Sequence, residues 1–416
     1  MVKMDVFLIV VQMNNSTNMW YLNENVYFVK GKQNAALYDL NKEKLYHINL
    51  DAKLLLTNIL NNNLYLPNDE QLNFLNTLYA NGLITHEYVT YHNITDLVED
   101  RVIDFVWIEV TTYCNLKCVH CYDEVSSRTQ RNMKYEDFKI IIDQLVEYGI
   151  KRIQLIGGEP FILGDRLIEF LDYTVGKFEY IEIFTNGTLI KEEYLSYLKE
   201  HNIRIALSVY SYEEEYHNKV TKCLDSWSRT NSIIKKLCEY AIPYRVKNVL
   251  MDGVELGIKN TDLYTLSKKK DIVRMVGRAN IKLLNKDLLY RKLITENHFS
   301  RKLSASLVKK LVSGHNCFAS RLYFTVDLDV APCVMERRIY HGNLKNTNIK
   351  ELIDDNIRTL NKDEIKGCQD CEFRYCCFDC RPDSLDNDVF AKPWYCTYDP
   401  YLGKWCDPHQ FVEDKL

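Results

Sequence analysis

The stretch Cys114-Asn115-Leu116-Lys117-Cys118-Val119-His120-Cys121-Tyr122 sets three thiols three and two residues apart, directly after the apolar run Phe105–Val110. Three thiolates at this spacing can hold three irons of a [4Fe–4S] cube from one loop, leaving the fourth iron open as a place for reaction. A zinc knuckle is the competing reading, but structural zinc normally takes four ligands in a closed site. A loop of this kind at the end of a strand suggests a fold that gathers its chemistry at strand carboxyl ends.

The sequence on either side agrees. Strands are expected at Phe105–Val110, Arg152–Ile156, Tyr180–Phe184, Ile203–Val209, Tyr244–Leu250 and Ile272–Val276, with helices such as Tyr135–Glu147 and Lys191–Glu200 between several of them. Repeated βα units imply a parallel sheet, and six strands fit an α/β partial (β/α)6 barrel. Short segments rich in Gly and polar residues close the strands: Gly157-Gly158-Glu159-Pro160 the second, Thr185-Asn186-Gly187 the third and Ser208 the fourth. The glycines let backbone approach a ligand closely, and Glu159 offers an acceptor. Each segment also reads as an ordinary turn.

The 416 residues, with 53 basic and 57 acidic side chains and a formal charge of -4, give no field of the strength expected for nucleic-acid or anionic-membrane partners. The N-terminal apolar run Val6–Val11 is too short to span a bilayer and lacks signal-peptide flanks, so a cytoplasmic protein is expected. In a reducing compartment, 14 cysteines read as metal ligands before disulfides.

Up to about Glu99 there is no cysteine. Alternating strands at Asn34–Leu40 and Lys44–Ile48 flank a turn at Asn41; helices at Ala52–Leu60 and Glu70–Asn81 follow, then Gly82 as a helix stop and a strand at Leu83–Tyr88. This order suggests a winged-helix-like module. The carboxyl region instead shows Cys317-x15-Cys333, then Cys368-x2-Cys371-x5-Cys377-x2-Cys380, then Cys396. Paired CxxC units also describe a zinc ribbon, although one zinc leaves Cys317, Cys333 and Cys396 unexplained. Cys376 offers a second register beside Cys377. Cys223 and Cys238 are expected as isolated, small buried side chains, and His120, His217, His315 and Glu213-Glu214-Glu215 receive no catalytic role. The runs Asn61–Asn63 and Lys268–Lys270 read as solvated surface.

The three-cysteine loop with Tyr122, followed in order by Gly157-Gly158-Glu159-Pro160 and Thr185-Asn186-Gly187, resembles the radical S-adenosylmethionine (SAM) superfamily. The resemblance implies a cluster on Cys114, Cys118 and Cys121, with SAM bound by Tyr122, Gly157, Gly158, Glu159, Pro160, Asn186 and Ser208. Val209-Tyr210 stands in place of the Asp-Gly-like continuation of the family. It further implies reductive cleavage of SAM to a 5′-deoxyadenosyl radical that removes a hydrogen from substrate, with an external electron donor.

The later cysteines resemble the seven-cysteine SPASM pattern, which implies two auxiliary [4Fe–4S] clusters, on Cys317, Cys333 and Cys380 and on Cys368, Cys371, Cys377 and Cys396. The first either keeps an open iron or is completed by Cys376, Cys406 or a substrate atom. Leu328 stands where the pattern has glycine, and the Cys377–Cys380 interval is one residue short. Cys371-Glu372-Phe373-Arg374-Tyr375, Asp379-Cys380-Arg381 and Lys392-Pro393-Trp394-Tyr395-Cys396 resemble the grasp-with-spasm peptide maturases. That likeness implies a ribosomally made precursor peptide with a leader sequence as substrate, an ATP-grasp ligase as partner, and an intramolecular cross-link as product. Formylglycine-type oxidation, epimerisation, and a peptide-delivery scaffold without catalysis are the alternatives. The expected division is a leader-recognition module over 1–99, for which a barrel-stabilising cap is the alternative, the barrel over 100–300 and the SPASM region over 301–416.

Overall fold

The computed structural model describes residues 2–3, 19–61, 66–122, 130–258, 270–353 and 356–416. Val6–Val11, Asn62, Asn63, Lys268 and Lys269 lie outside the described residues.

The amino-terminal part is an antiparallel meander of β1 (Val26–Lys30), β2 (Ala35–Asp39) and β3 (Lys44–Ile48), followed by helices α1 (Leu50–Asn61) and α2 (Asp69–Ala80). A capping box starts α2: Asn68 Oδ1 accepts from Gln71 N at 2.9 Å, and Gln71 Oε1 accepts from Asn68 N at 3.0 Å. Asn81 caps its end, with Gly82 beyond it at φ +66°. The last expected strand is shorter than read: only Ile84–Thr85 of Leu83–Tyr88 forms a strand, and it pairs with Tyr21–Leu22 outside the meander. Sequence reading placed no strand at β1. The reason is double coverage, since Val26 and Phe28 join a core with α1 and α2 while Tyr27 and Val29 join a core with the carboxyl region. A strand buried on both faces loses the apolar–polar alternation that would reveal it.

The central sheet follows the expected βα rhythm. Strands β4 (Phe105–Thr111), β5 (Arg152–Gly157), β6 (Tyr180–Thr185), β7 (Arg204–Ser208), β8 (Tyr244–Leu250) and β9 (Lys270–Ile272) pair in parallel, each with the next. Helix Tyr135–Tyr148 shows how the layers lock: Phe138, Ile141, Ile142 and Leu145, on one helical face, are fully buried against the sheet, and Gly149 ends the helix at φ +88°. The expected helix Lys191–Glu200 forms as a tight turn, Glu192–Tyr194, leading into Leu195–Glu200.

Two parts of the sheet correct the sequence reading. The sixth strand lies at Lys270–Ile272 and not at Ile272–Val276, because Gly277, at φ +63°, turns the chain back against the Cys121–Tyr122 backbone. The sheet also has more than six strands: β10 (Arg321–Phe324) pairs in parallel with the outer side of β4, and β11 (Asp329–Ala331) and β12 (Gly342–Asn343) extend it antiparallel to nine. Leu328 lies between β10 and β11 at φ +70° and is fully buried. That left-handed backbone is the conformation glycine takes most readily. A leucine tolerates it here by burying its side chain in the barrel core with Phe324, Val326 and Val330.

The amino-terminal sheet is docked on the cysteine-rich region. Tyr38 Oη donates to Glu372 O at 2.8 Å, His47 Nε2 lies 2.8 Å from Glu372 Oε1, and Lys32 N donates to Asp370 O at 2.6 Å. Gly31 is obligatory at this contact, since a Cβ there would stand 2.9 Å from Glu372 N. Among the described residues no helix is long and apolar enough to cross a membrane.

Candidate radical site and thiol clusters

The three-thiol loop leaves the carboxyl end of β4 and is held by its neighbours' backbones. Lys117 N and Val119 N donate to Thr221 O (3.2 Å) and Val220 O (3.0 Å), and Arg278 N donates to Cys121 O (3.1 Å). Gly157 and Gly158 close the gap to β5: Gly158 N donates to Thr111 O at 2.9 Å and Glu159 N to Tyr113 O at 2.7 Å. A Cβ on Gly157 would stand 2.2 Å from Thr111 O, and one on Gly158 2.0 Å from Tyr113 O. Both glycines are therefore required by the close approach of the Thr111–Tyr113 backbone that leads into the cysteine loop.

Glu159 is fully buried, and its carboxylate turns inward. Oε1 accepts from Phe161 N at 3.0 Å and from Thr185 Oγ1 at 2.7 Å, while Oε2 accepts from Asn186 N at 2.7 Å. Burial pushes its pKa up to about 7 against the pull of these donors. The acceptor that sequence reading offered to a ligand thus ties the ends of β5 and β6 together. Pro160 opens the tight turn that follows. Asn186 continues the brace, its Nδ2 donating to Asn115 Oδ1 in the cysteine loop at 3.0 Å.

Tyr122 and Ser208 line a cavity of about 250 Å³ on the inner face of the sheet, together with His120, Gln154, Tyr210, Arg245, Lys247, Asp271 and Arg274. Trp107, Ile156, Phe184, Val334 and Met335 give it apolar walls. Two of its cations are paired: Arg245 donates to Glu182 through Nε (2.9 Å) and Nη2 (2.7 Å), and Lys247 meets Asp271. Sequence reading noted Tyr210 only as a departure, yet its buried hydroxyl lies within interaction reach of both Ser208 and the Cys118 thiol. The signal available was the residue's place directly after the fourth strand. His120, edge-on to Tyr210 at 4.7 Å, has its pKa lowered to about 4 by burial. His217 and His315 are buried within the fold, and Glu213, Glu214 and Glu215 are exposed around the start of helix Glu214–Thr221.

In the carboxyl region Cys368, Cys371, Cys377 and Cys396 line one cavity. Lys362 Nζ, almost fully buried, lies 3.4 Å from Cys377 Sγ and 3.3 Å from Asp379 Oδ2. Cys376 turns the other way: its Sγ donates to Phe373 O at 3.3 Å and lies 3.4 Å from Tyr38 Oη. Cys380 comes within electrostatic reach of Cys333 and Cys317, with the Arg274 guanidinium beside Cys380 and Cys333. Cys406 is exposed. Neither Lys362 nor Arg274 stands out in sequence; only folding places a buried cation beside each thiol group. Cys223 and Cys238 correct the reading as small buried side chains: Cys223 is half-buried against Asp225 (3.0 Å), and Cys238 is exposed beside Tyr244 Oη (3.2 Å). Both sit on surface-facing turns of their helical region.

The donor chemistry suits iron–sulfur clusters. One thiol in each of the three groups accepts a backbone N–H from two residues on: Cys114 from Leu116 (3.4 Å), Cys333 from Met335 (3.5 Å) and Cys371 from Phe373 (3.4 Å). Hydrogen bonds to sulfur favour the thiolate and tune a bound cluster. Among the described residues, no three His, Cys, Asp or Glu side chains are grouped as ligands of a single metal ion.

Comparison with known proteins places this geometry. The subtilosin biosynthesis protein AlbA of Bacillus subtilis (strain 168) is 36% identical over 140 residues, which are 33% of this chain and 31% of AlbA. The chain thus spans about a third of that relative's length. A cysteine-type anaerobic sulfatase-maturating enzyme of Clostridium perfringens (strain 13 / Type A) is 25% identical over 345 residues, 68% of this chain and 90% of the relative. The crystal structure of Streptococcus suis SuiB bound to precursor peptide SuiA shares the fold at a TM-score of 0.55 and 17% identity, covering 88% of this chain and 96% of SuiB. Residues 108–256, a span that includes the Cys114–Cys121 loop, match the radical SAM superfamily, and the chain carries a radical SAM domain there.

Proposed function

We propose that this chain is a radical SAM enzyme that modifies a ribosomally made precursor peptide, abstracting hydrogen and forming an intramolecular cross-link. The observation that carries the reading is the convergence, at one end of the sheet, of the three-thiol loop, the Gly157-Gly158 backbone and a cavity open to Ser208, Tyr122 and Arg274. AlbA is named for bacteriocin biosynthesis, the clostridial relative for sulfatase maturation, and SuiB is bound to a precursor peptide, which together support a peptide substrate.

Cys114, Cys118 and Cys121 would hold the cluster whose chemistry, when SAM and an external donor's electron are supplied, is formation of the 5′-deoxyadenosyl radical. Tyr122, the Gly157–Pro160 backbone, Asn186 and Ser208 would seat SAM. Glu159 and Asn186 hold the strand ends and the cysteine loop in fixed relation, and Tyr210 lies within reach of both Cys118 and Ser208. The apolar walls exclude water from the reacting centre. Cys317, Cys333 and Cys380 would hold one auxiliary cluster and Cys368, Cys371, Cys377 and Cys396 the other, within residues 301–416, to accept the second electron of the oxidation. Residues 1–99 would receive the leader, and an ATP-grasp ligase would act on the same precursor.

Co-expression with the precursor peptide, followed by mass spectrometry, tests the reading. A cross-link lowers peptide mass by about two hydrogens; an unchanged peptide alongside active SAM cleavage would sink the substrate assignment.

A further inference from the structure

We propose that a second cleft, bordering the barrel cavity, holds an acidic stretch of the substrate chain on its way to the reacting centre. This deepens the peptide reading above and rests on it. The cleft begins at Leu45 on β3 of the amino-terminal sheet and ends at Asp271, Ile272 and Arg274, which also line the barrel cavity. The two cavities thus border one another at these three residues, and Cys380 and the half-exposed ring of Phe378 also line the cleft.

Charge decides the occupant. The cleft is lined by Lys270, Arg274, Arg291, Lys292, Arg301 and Lys302, against the two carboxylates Asp271 and Asp383. Lys292 is neutralised by Asp383 at 2.7 Å, both almost fully buried. Asp271 is paired with Lys247 of the barrel cavity. Lys302 meets Glu43 at 3.0 Å and Arg291 meets Asp287 at 3.9 Å, but these pairs are exposed and screened by solvent. A cationic surplus remains in a chain whose formal charge is -4, so it does not follow from composition.

Like charges gathered in a concavity concentrate the field and draw in an opposite charge. An extended chain needs only about 3.3 Å of path per residue. A globular acidic partner, such as an electron-donor protein, would meet Lys302 and Arg301 at the mouth but could not follow the cleft to Lys292 and Arg274. The cleft favours an extended peptide segment bearing Asp or Glu.

The test measures binding of the full-length protein to fluorescein-labelled synthetic octapeptides of alternating Glu-Gly, Ser-Gly or Lys-Gly, by anisotropy at low and high salt. The Glu peptide should bind at least about tenfold more tightly than the Ser peptide, with the preference fading as salt shortens the screening length. The double variant Arg291→Glu, Arg301→Glu should lose that preference, and the milder Arg291→Gln, Arg301→Gln pair should halve it or more if the reversed charges disturb folding. Equal binding of Glu and Ser peptides, or a preference untouched in both variants, would overturn the proposal. So would binding of a globular acidic protein that depends on Arg301 while the Glu peptide fails to bind. Because anisotropy involves no SAM chemistry, loss of the acidic preference in a protein that still modifies its peptide removes only the cleft. Intact Glu-peptide binding in a protein that never cleaves SAM removes only the proposed function.

Discussion

Replacing Cys377 by Ala should cost the protein one cluster, whereas replacing its neighbour Cys376 should cost almost none. Cys377 faces the cavity shared with Cys368, Cys371 and Cys396, beside the Lys362 ammonium at 3.4 Å. Cys376 instead gives its proton to Phe373 O and meets Tyr38 Oη at 3.4 Å. With three cubane clusters loaded, Cys377→Ala should lower iron from about twelve to about eight per chain. Cys376→Ala removes a weak thiol contact, and Tyr38 keeps its 2.8 Å bond to Glu372 O, so the expected loss is only about 1 kcal/mol of stability with iron unchanged. Iron and acid-labile sulfide assays on anaerobically reconstituted variants, with electron paramagnetic resonance of the reduced clusters, give the readout. SAM cleavage should persist in both variants, because the Cys114–Cys121 loop is built on a different strand end. Full iron in Cys377→Ala together with a lost cluster in Cys376→Ala would refute the argument.

Three further outcomes follow from single contacts. Gly158→Ala places a methyl 2.0 Å from Tyr113 O, so the cysteine loop must move; reductive 5′-deoxyadenosine formation should fall by an order of magnitude or more, with auxiliary iron retained. Glu159, with its folded pKa raised from 4.5 to about 7, binds more protons folded than unfolded in that window; wild-type stability should therefore fall, relative to Glu159→Gln, as pH rises from about 4.5 to about 7. Parallel denaturant titrations of both proteins at several pH values check the sign, and the opposite trend would contradict the burial argument. Removal of residues before about 100 should lower carboxyl-region iron, because it uncovers Tyr375, Phe373 and the buried Glu372 carboxylate; full iron in the truncated chain would show the docking to be dispensable.

The parallel sheet was legible because its strands are apolar runs separated by amphipathic helices, a pattern local to each segment. Tyr244–Leu250 has the bounds that were read, and Phe105–Thr111 and Tyr180–Thr185 differ by one residue. The cysteine loop was legible for the same reason: its spacing lies within nine residues. Strand β1 and β10 were not, since one is covered on both faces and the other is four residues long, and burial by distant chain erases or shortens the local period.

What the sequence determined by itself was the spacing of the three-thiol loop, the order of the strand-end motifs and the grouping of thiols along the chain. What only the tertiary structure decided was direction. Cys376 and Cys377 are chemically identical neighbours in sequence, and it is the backbone turn after Phe373, held by Tyr38 from a strand 338 residues away, that sends one thiol to Tyr38 and the other to the shared cavity. Glu159 offered an acceptor on paper, but folding surrounds it with three donors. Likewise the cations at residues 270–302 are scattered through an acidic chain and become a cleft only when β9, the segment after it and the cysteine-rich region pack together. Covalent order carries composition and spacing, whereas side-chain orientation and the summing of charge depend on contacts between segments far apart in the chain.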